Sequence, residues 1–265
     1  MSAEKAPHRS SVHRAFTHQA GSFEDPLLNT AFTSGLDQLV AAASPTPTDI
    51  CLDVAAGTGL LSRSFAPHVR HVTAIDTTQA MLVEGKHQTD IAGITNVVFC
   101  RGDVEDLPFV SRSFSLVMCR FGLHHFADPT AGLREMARVC RPAGRLLLAD
   151  MIASEDPATA RSQDRLERLR DPSHASMVTL SALTDLLAAL GVTVLATDVE
   201  EVERPVDTWL AQAGTDDDTA VAIGHEFIRE LKGGPATGMS PRIIDGRLHF
   251  YQRWLTLLGV ATRIG

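Results

Sequence analysis

An α/β fold built on a parallel sheet is what this sequence predicts, and two observations carry the expectation. Between residues 50 and 151, short apolar runs alternate with segments of helical periodicity. Alternation at that pace means right-handed βαβ units. The first run, Ile50-Cys51-Leu52 with Val54, collapses into Ala55-Ala56-Gly57-Thr58-Gly59, and helical periodicity resumes at Leu60, Leu61 and Phe65. This reads as strand, tight glycine turn and helix start. Gly57 and Gly59 supply unusual dihedrals and let the backbone approach a ligand closely. The helix that follows offers unpaired N–H groups to negative charge. Asp53 lies inside the strand, where a carboxylate is costly unless something uses it.

Taken in order, residues 1–12 are polar and expected to be mobile. A helical pattern runs from about Arg14 to Phe23, with Phe16, Ala20 and Phe23 near one face. Asp25-Pro26 interrupts it, and Leu27 to Ala43 forms a stronger amphipathic helix through Leu28, Phe32, Leu36, Leu39 and Val40. Ser44 to Asp49 breaks the chain before the first strand. Strands are expected at 50–55, 71–76, 96–101, 114–120 and 144–151, with helices at about 59–66, 78–88 and 129–141. Arg141-Pro142-Ala143-Gly144 is a stop signal for the last of these helices. Beyond Asp150 come a polar helix over 154–170, a break at Asp171-Pro172-Ser173-His174, a helix from Ser181 to Leu190 and a strand from Val192 to Val199. A second embellishment occupies roughly 205–232, with Trp209 and an acidic Asp216-Asp217-Asp218 suited to a helix N-terminus. Asp245-Gly246 is a turn, and Leu248 to Val260 is a final, mostly apolar strand.

The 265 residues are 44% hydrophobic and 21% charged, which suits one domain spanning 1–265. A formal net charge of −8 supplies no basic field for a phosphate backbone, so nucleic acid is not an expected partner. The basic stretch Arg161–Arg170 is interleaved with Asp164 and Glu167 and reads as a solvated helix face. Cys51, Cys100, Cys119 and Cys140 form no C-x-x-C pair, so buried thiols are expected rather than disulfides, and no metal site. No apolar run approaches the ~18–20 residues of a membrane span, and the N-terminus has no apolar signal core. A cytoplasmic location without stable membrane insertion is the default; the sequence leaves homo-oligomerisation open.

Two ligand readings compete for the glycine turn. A dinucleotide fingerprint, G-x-G-x-x-G, would need glycine where Ser62 stands, which disfavours a NAD-dependent dehydrogenase. A plain strand–helix connection is the bland alternative. Asp53-Val-Ala-Ala-Gly-Thr-Gly59 closely resembles the first motif of class I S-adenosylmethionine-dependent methyltransferases, with Ala55 where that family most often has its first glycine. The resemblance continues. Asp76 ends the second strand, where a ribose-binding acid is expected. Asp103, in Arg-Gly-Asp-Val-Glu-Asp-Leu-Pro-Phe, resembles the adenine-contacting acid, and Leu107-Pro108-Phe109 and Ser113-Phe114 continue the pattern. Phe121-Gly-Leu-His-His-Phe-Ala-Asp-Pro129 resembles the loop after strand four in the small-molecule branch, the ubiquinone/menaquinone (methyltransferase type 11) group. Cys140 to Arg145 resembles that group's link into strand five. The match is close over about 50–150 and holds only in outline at the ends.

The resemblance implies a Rossmann-like, seven-stranded, mostly parallel twisted sheet with helices on both faces. Its last strand, near 248–258, would be antiparallel and lie beside 144–151. Residues 1–45 would form a helical lid, 50–151 the cofactor-binding core, and 152–180 and 205–240 helical caps over the substrate. The implied cofactor is S-adenosylmethionine, held by Asp53, Ala55, Gly57, Thr58, Gly59, Asp76, Thr77, Met81, Asp103, Val104 and Arg120, with Phe23 from the lid. The two oxygens of Asp76 can accept from both ribose hydroxyls; alternatively, Asp76 caps the following helix. Asp103 could equally be a turn acid, and Phe16 and Phe23 could be core.

A sulfonium already activates its methyl group, so catalysis is chiefly alignment with water excluded. A base is required only if the acceptor must lose a proton. His124 and His125 follow a strand's C-terminal end and are the candidates, with one expected to point away from the pocket. Packing or bonding to backbone is their other reading. His174 is a second candidate, or a loop cap. The expected function is methyl transfer to carbon, nitrogen or oxygen of a small, partly hydrophobic organic acceptor, of a secondary-metabolite or quinone/isoprenoid-like kind. A cofactor-binding cyclase or isomerase on the same fold is the alternative. A non-catalytic binding subunit is disfavoured by the intact acids Asp53, Asp76 and Asp103.

Overall fold

The computed structural model describes residues 5–25 and 33–262. Eight strands form one sheet: β1 (Ile50–Val54), β2 (His71–Asp76), β3 (Val97–Arg101), β4 (Phe114–Arg120), β5 (Cys140–Met151), β6 (Val192–Pro205), β7 (Arg242–Ile244) and β8 (Arg247–Ala261). The spatial order is β3-β2-β1-β4-β5-β8-β6, with the short β7 beside β8. Strands β1 to β5 pair in parallel, and β8 runs antiparallel between β5 and β6. The seven expected strands are thus present, and β7 adds a hairpin arm through Asp245 and Gly246. The chain leaves β1 for β2 and β3 on one side and returns to β4 on the other. That reversal opens a crevice at the carboxyl ends of β1 and β4.

Alternation along the central strands explains why both faces are covered. Leu52, Val54, Val117, Leu146 and Leu148 pack with Leu133 and Met136 of α5 (Pro129–Val139) and Leu183 and Leu187 of α7 (Leu180–Ala189). Their neighbours Cys51, Leu116, Met118 and Leu147 face the other way. They meet Leu39 and Ala43 of α2 (Leu36–Ala43) and Leu61 and Phe65 of α3 (Leu60–Phe65).

A third cluster joins Leu166 of α6 (Pro157–Arg170), Trp209 of α8 (Val206–Ala213), Ile223 and Phe227 of α9 (Asp217–Leu231), and Phe250 of β8. The two segments expected as separate caps therefore share one apolar core. That core stands on β6 and β8, which pair beyond the end of β5 as far as Pro205 and His249.

Four boundaries depart from expectation. Strand β6 continues past Val199 because it is an outer strand, where Asp198, Glu200, Glu201 and Glu203 mask apolar alternation. The helix expected to reach 141 ends at Val139. Cys140 already pairs with Phe114 and Arg145 with Leu116, so residues 141–144 are a bulge inside β5 with Ala143 at φ +62°. Helix α1 (Lys5–Gln19) begins within the stretch expected to be mobile, and a 3₁₀ turn, Ala20–Ser22, completes it. Helix α4 (Gln79–Ile91) runs past residue 88. Of the helix expected over 27–43, the segment Leu27 to Phe32 lies outside the described residues.

Truncation of a fully buried aromatic in the cap should be felt globally. Phe250→Ala is expected to lower stability by about 3–5 kcal/mol in denaturant titration. A loss under about 1 kcal/mol would mean that the cap core does not support the fold.

Candidate active site

A cavity of about 1210 Å³ lies in the crevice, bounded by the β1 turn, the ends of β2 and β4, α1 and the cap. The turn holds Ala55 at φ +54° and Gly57 at φ +55°. A left-handed backbone favours glycine, which accounts for the residue most common at position 55 among the resembling sequences. Gly57 N–H donates to Asp76 Oδ2 (2.9 Å) and Thr78 N–H to Oδ1 (2.8 Å). Asp76 thus links the glycine turn to the start of α4 while lining the cavity. Burial pushes its pKa up, against the pull of the N–H groups of Thr78 and Gly57. Asp53 is 1% exposed. Burial raises its pKa to about 7, although Ser62 Oγ–H donates to it at 2.6 Å. The residue that breaks the dinucleotide fingerprint therefore satisfies the strand's carboxylate. Burial lowers Arg120 to about 10, and Asp53 and Asp150 pull it back.

Helix α1 covers one side. Arg9 Nη2 pairs with Asp103 Oδ2 at 2.8 Å and Glu105 Oε2 at 3.0 Å. His8 Nε2 donates to the His125 carbonyl at 2.9 Å. Phe16 meets the His125 ring edge-on at 4.9 Å, and a Cβ placed on Gly57 would sit 3.7 Å from Phe23. Asp103 also accepts Glu105 N–H (2.9 Å), so it is both a turn acid and a cavity acid.

Both His124 and His125 line the cavity, their rings 4.1 Å apart, so neither points away as expected. His124 is buried, and its Nδ1–H donates to Asp150 Oδ1 at 2.5 Å. Asp150 is itself fixed by N–H donors from Leu123 (to Oδ2, 2.8 Å) and Met151 (to Oδ1, 2.7 Å). Burial opposes charge on His124, but Asp150 outweighs it and the pKa is raised. His125 Nδ1–H donates to the Ser173 carbonyl at 2.8 Å. Burial, reinforced by His124, holds its pKa well below the usual range and keeps the ring neutral. His174 stands behind His124, ring centroids 5.6 Å apart, with Nε2 on Asp164 (2.9 Å), and does not line the cavity.

Of the expected cofactor residues, Asp53, Ala55, Gly57, Asp76, Thr77, Asp103, Val104, Arg120 and Phe23 line the cavity. Thr58, Gly59 and Met81 do not. Thr58 and Met81 are fully buried, and Gly59 packs so closely on Phe99 that a Cβ would lie 2.9 Å from its ring. These positions shape the turn from beneath. Sequence reasoning missed Asp150, Phe121, Trp254, Arg170, Arg204 and Gln252, all at or beside the cavity. Asp150 carried a readable signal, a carboxylate closing an apolar run as Asp53 does. The others carried none, because they come together from four places, the end of β4, α6, β6 and β8.

Residues 52–148 match the family model described as a methyltransferase domain. The cofactor that such a domain implies is S-adenosylmethionine. The residues present fit that group: a glycine at positive φ where a side chain would intrude, and acids at the ends of β2 and β3. The Bacillus subtilis (strain 168) protein named as the uncharacterized methyltransferase YcgJ is 37% identical over 62% of this chain and 65% of its own length. A demethylmenaquinone methyltransferase of Clavibacter sepedonicus is 35% identical over 58% of this chain and 64% of its own. These alignments span a little under two thirds of the curated relatives. The crystal structure of the Bacillus protein YcgJ superposes with a TM-score of 0.79 at 27% identity, covering 86% of this chain and 98% of that one. No helix among the described residues is long and apolar enough to cross a membrane.

The raised Asp53 carboxyl makes stability depend on pH. Its pKa is 3.8 unfolded and about 7 folded, so the folded state binds the proton more tightly. The burial cost is absent below pH 3.8 and grows to its full size as pH rises through 7. Asp53→Asn should therefore gain stability relative to wild type between pH 4 and 8, by at most about 4 kcal/mol. A mutant difference that does not vary with pH would show that Asp53 is ionised throughout.

Proposed function

We propose that the chain transfers a methyl group from S-adenosylmethionine to a small, partly apolar organic acceptor, with the His124–Asp150 pair taking the acceptor's proton. The observation that carries this reading is the Asp150–His124 contact on the cavity wall. When bound, S-adenosylmethionine supplies a sulfonium-activated methyl. Gly57, Asp76 and Asp103 would hold it, with α1 excluding water. Asp150, clamped by two backbone N–H groups, fixes His124 with the proton on Nδ1. Nε2 then has no protein partner among the described residues and is the basic lone pair. The nearby carboxylate stabilises the imidazolium formed by proton transfer. Neutral His125, held by Ser173, orients the acceptor. Phe121 and Trp254, in edge contact at 4.7 Å, provide an apolar wall for it. The relatives named as methyltransferases support methyl transfer over a cyclase or isomerase.

Asp76→Ala should weaken S-adenosylmethionine binding by about 1.5–3 kcal/mol in calorimetric titration. Asp76→Asn, which retains an acceptor for Gly57 N–H, should lose less. Unchanged affinity in both folded variants would take Asp76 out of the cofactor site.

His124→Ala should leave cofactor affinity intact and lower kcat on the order of 10²–10⁴-fold. Asp150→Asn should also lower kcat. Because a base must be unprotonated, wild-type kcat should rise with pH through a midpoint above 6.5, and this acidic limb should vanish in His124→Ala. Release of S-adenosylhomocysteine at the normal rate by both variants would exclude the pair from the chemistry.

A further inference from the structure

We propose that Arg204, in the cap wall of the cavity, is an anion subsite that makes this methyltransferase select acceptors bearing a carboxylate on a planar apolar frame. The proposal rests on the reading above and specifies its acceptor. Arg204 is 6% exposed and lines the cavity from near the end of β6. A cation so buried ordinarily sits against a carboxylate. Here Nη1 donates to Gln252 Oε1 at 2.9 Å and Nη2 to Gln212 Oε1 at 2.6 Å, both neutral. Among the described residues no carboxylate lies within ion-pair distance of it. Burial and the neighbouring Arg170 lower its pKa to about 10, so it stays charged at neutral pH. A guanidinium has five N–H donors, and the described protein groups accept from two of its nitrogens.

The surroundings keep that charge available. Glu167, whose charge acts on Arg204 through space and partly offsets the lowering of its pKa, is buried and already used. It accepts from Arg170 Nη1 (3.2 Å) and from Gln252 Nε2 (2.6 Å). The second contact fixes the Gln252 amide with its oxygen toward Arg204, and Trp254 Nε1 donates to the same oxygen at 3.3 Å. The Arg204 guanidinium lies 5.6 Å from the Trp254 ring centroid. Trp254 in turn pairs with Met151, the residue after Asp150. One wall of the cavity thus carries, in order, a histidine with its carboxylate, an aromatic slot and an unneutralised guanidinium. A bidentate carboxylate on a flat apolar frame matches that order.

The test is calorimetric titration of benzoate and 2-naphthoate against benzamide and 2-naphthamide, with and without S-adenosylhomocysteine. Wild type should bind at least one acid about ten-fold or more tightly than its amide. Arg204→Met should abolish that preference while leaving S-adenosylhomocysteine affinity unchanged, and Arg204→Lys should keep part of it. Should Arg204→Met fail to fold, Arg204→Lys and Arg204→Gln give the same comparison, charge kept against charge lost. Equal binding of acids and amides by wild type, or a preference that survives loss of the charge, would overturn the subsite. Failure to bind S-adenosylhomocysteine at all would instead overturn the methyltransferase reading, whatever the acids do.

Discussion

Carboxylates buried at the carboxyl edge of the sheet anchor the β1 turn, the start of α4 and the loop after β4, all of which line the cavity or adjoin it. Asp76 at the end of β2 takes N–H groups from the β1 turn and from the start of α4. Asp150 near the end of β5 takes one from the loop after β4, and orients His124 with the same group. Asp53 in β1 reaches forward to Ser62 of α3. Each costs desolvation, and the donors that each accepts from offset only part of that cost, as the raised pKa values of Asp53 and Asp76 show. Remove these acids and the loops lose their common anchor. The binding crevice and the fold's polar scaffold are therefore the same set of atoms.

Closure over that edge rests on weaker contacts. The Arg9–Asp103 pair is about a third exposed on both partners, and ion pairs of that kind contribute about 0–1 kcal/mol. Aromatic contacts of Phe16 with His125 and of Phe23 near Gly57 hold α1 at least as firmly. The cap is different. Trp209, Phe227 and Phe250 give it a core of its own on the extended β6–β8 ribbon, so the cap wall is set by packing. One side of the cavity is thus held by exposed ion pairs and ring contacts and the other by a packed apolar core.

Much of this was legible in the chain. The central parallel strands β1, β4 and β5 are buried on both faces, so each reads as a short apolar run, and the glycine turn punctuates the first of them. Asp53 stands out because a carboxylate inside a buried strand is costly, and Asp76 and Asp103 stand out by their places at the end of the second strand and just after the third. Boundaries were lost where neighbours overrule local pattern. A bulge absorbs Arg141 to Gly144 because β4 offers a partner on either side of it. The polar residues of α1 take a helical place against the cavity through His8 and Arg9.

The sequence by itself determined the sheet, the glycine turn and the acids around it, because these depend on contiguous residues and on periodicity. Only the tertiary structure decided which imidazole meets a carboxylate, that His174 stands behind the wall, and that two distant helical segments make one cap. The same holds for Arg204, Gln252 and Trp254, which β6 and β8 bring to the cavity by antiparallel pairing. Sequence spacing encodes no such meeting. It arises when the register of one strand fixes where another strand's side chains must stand.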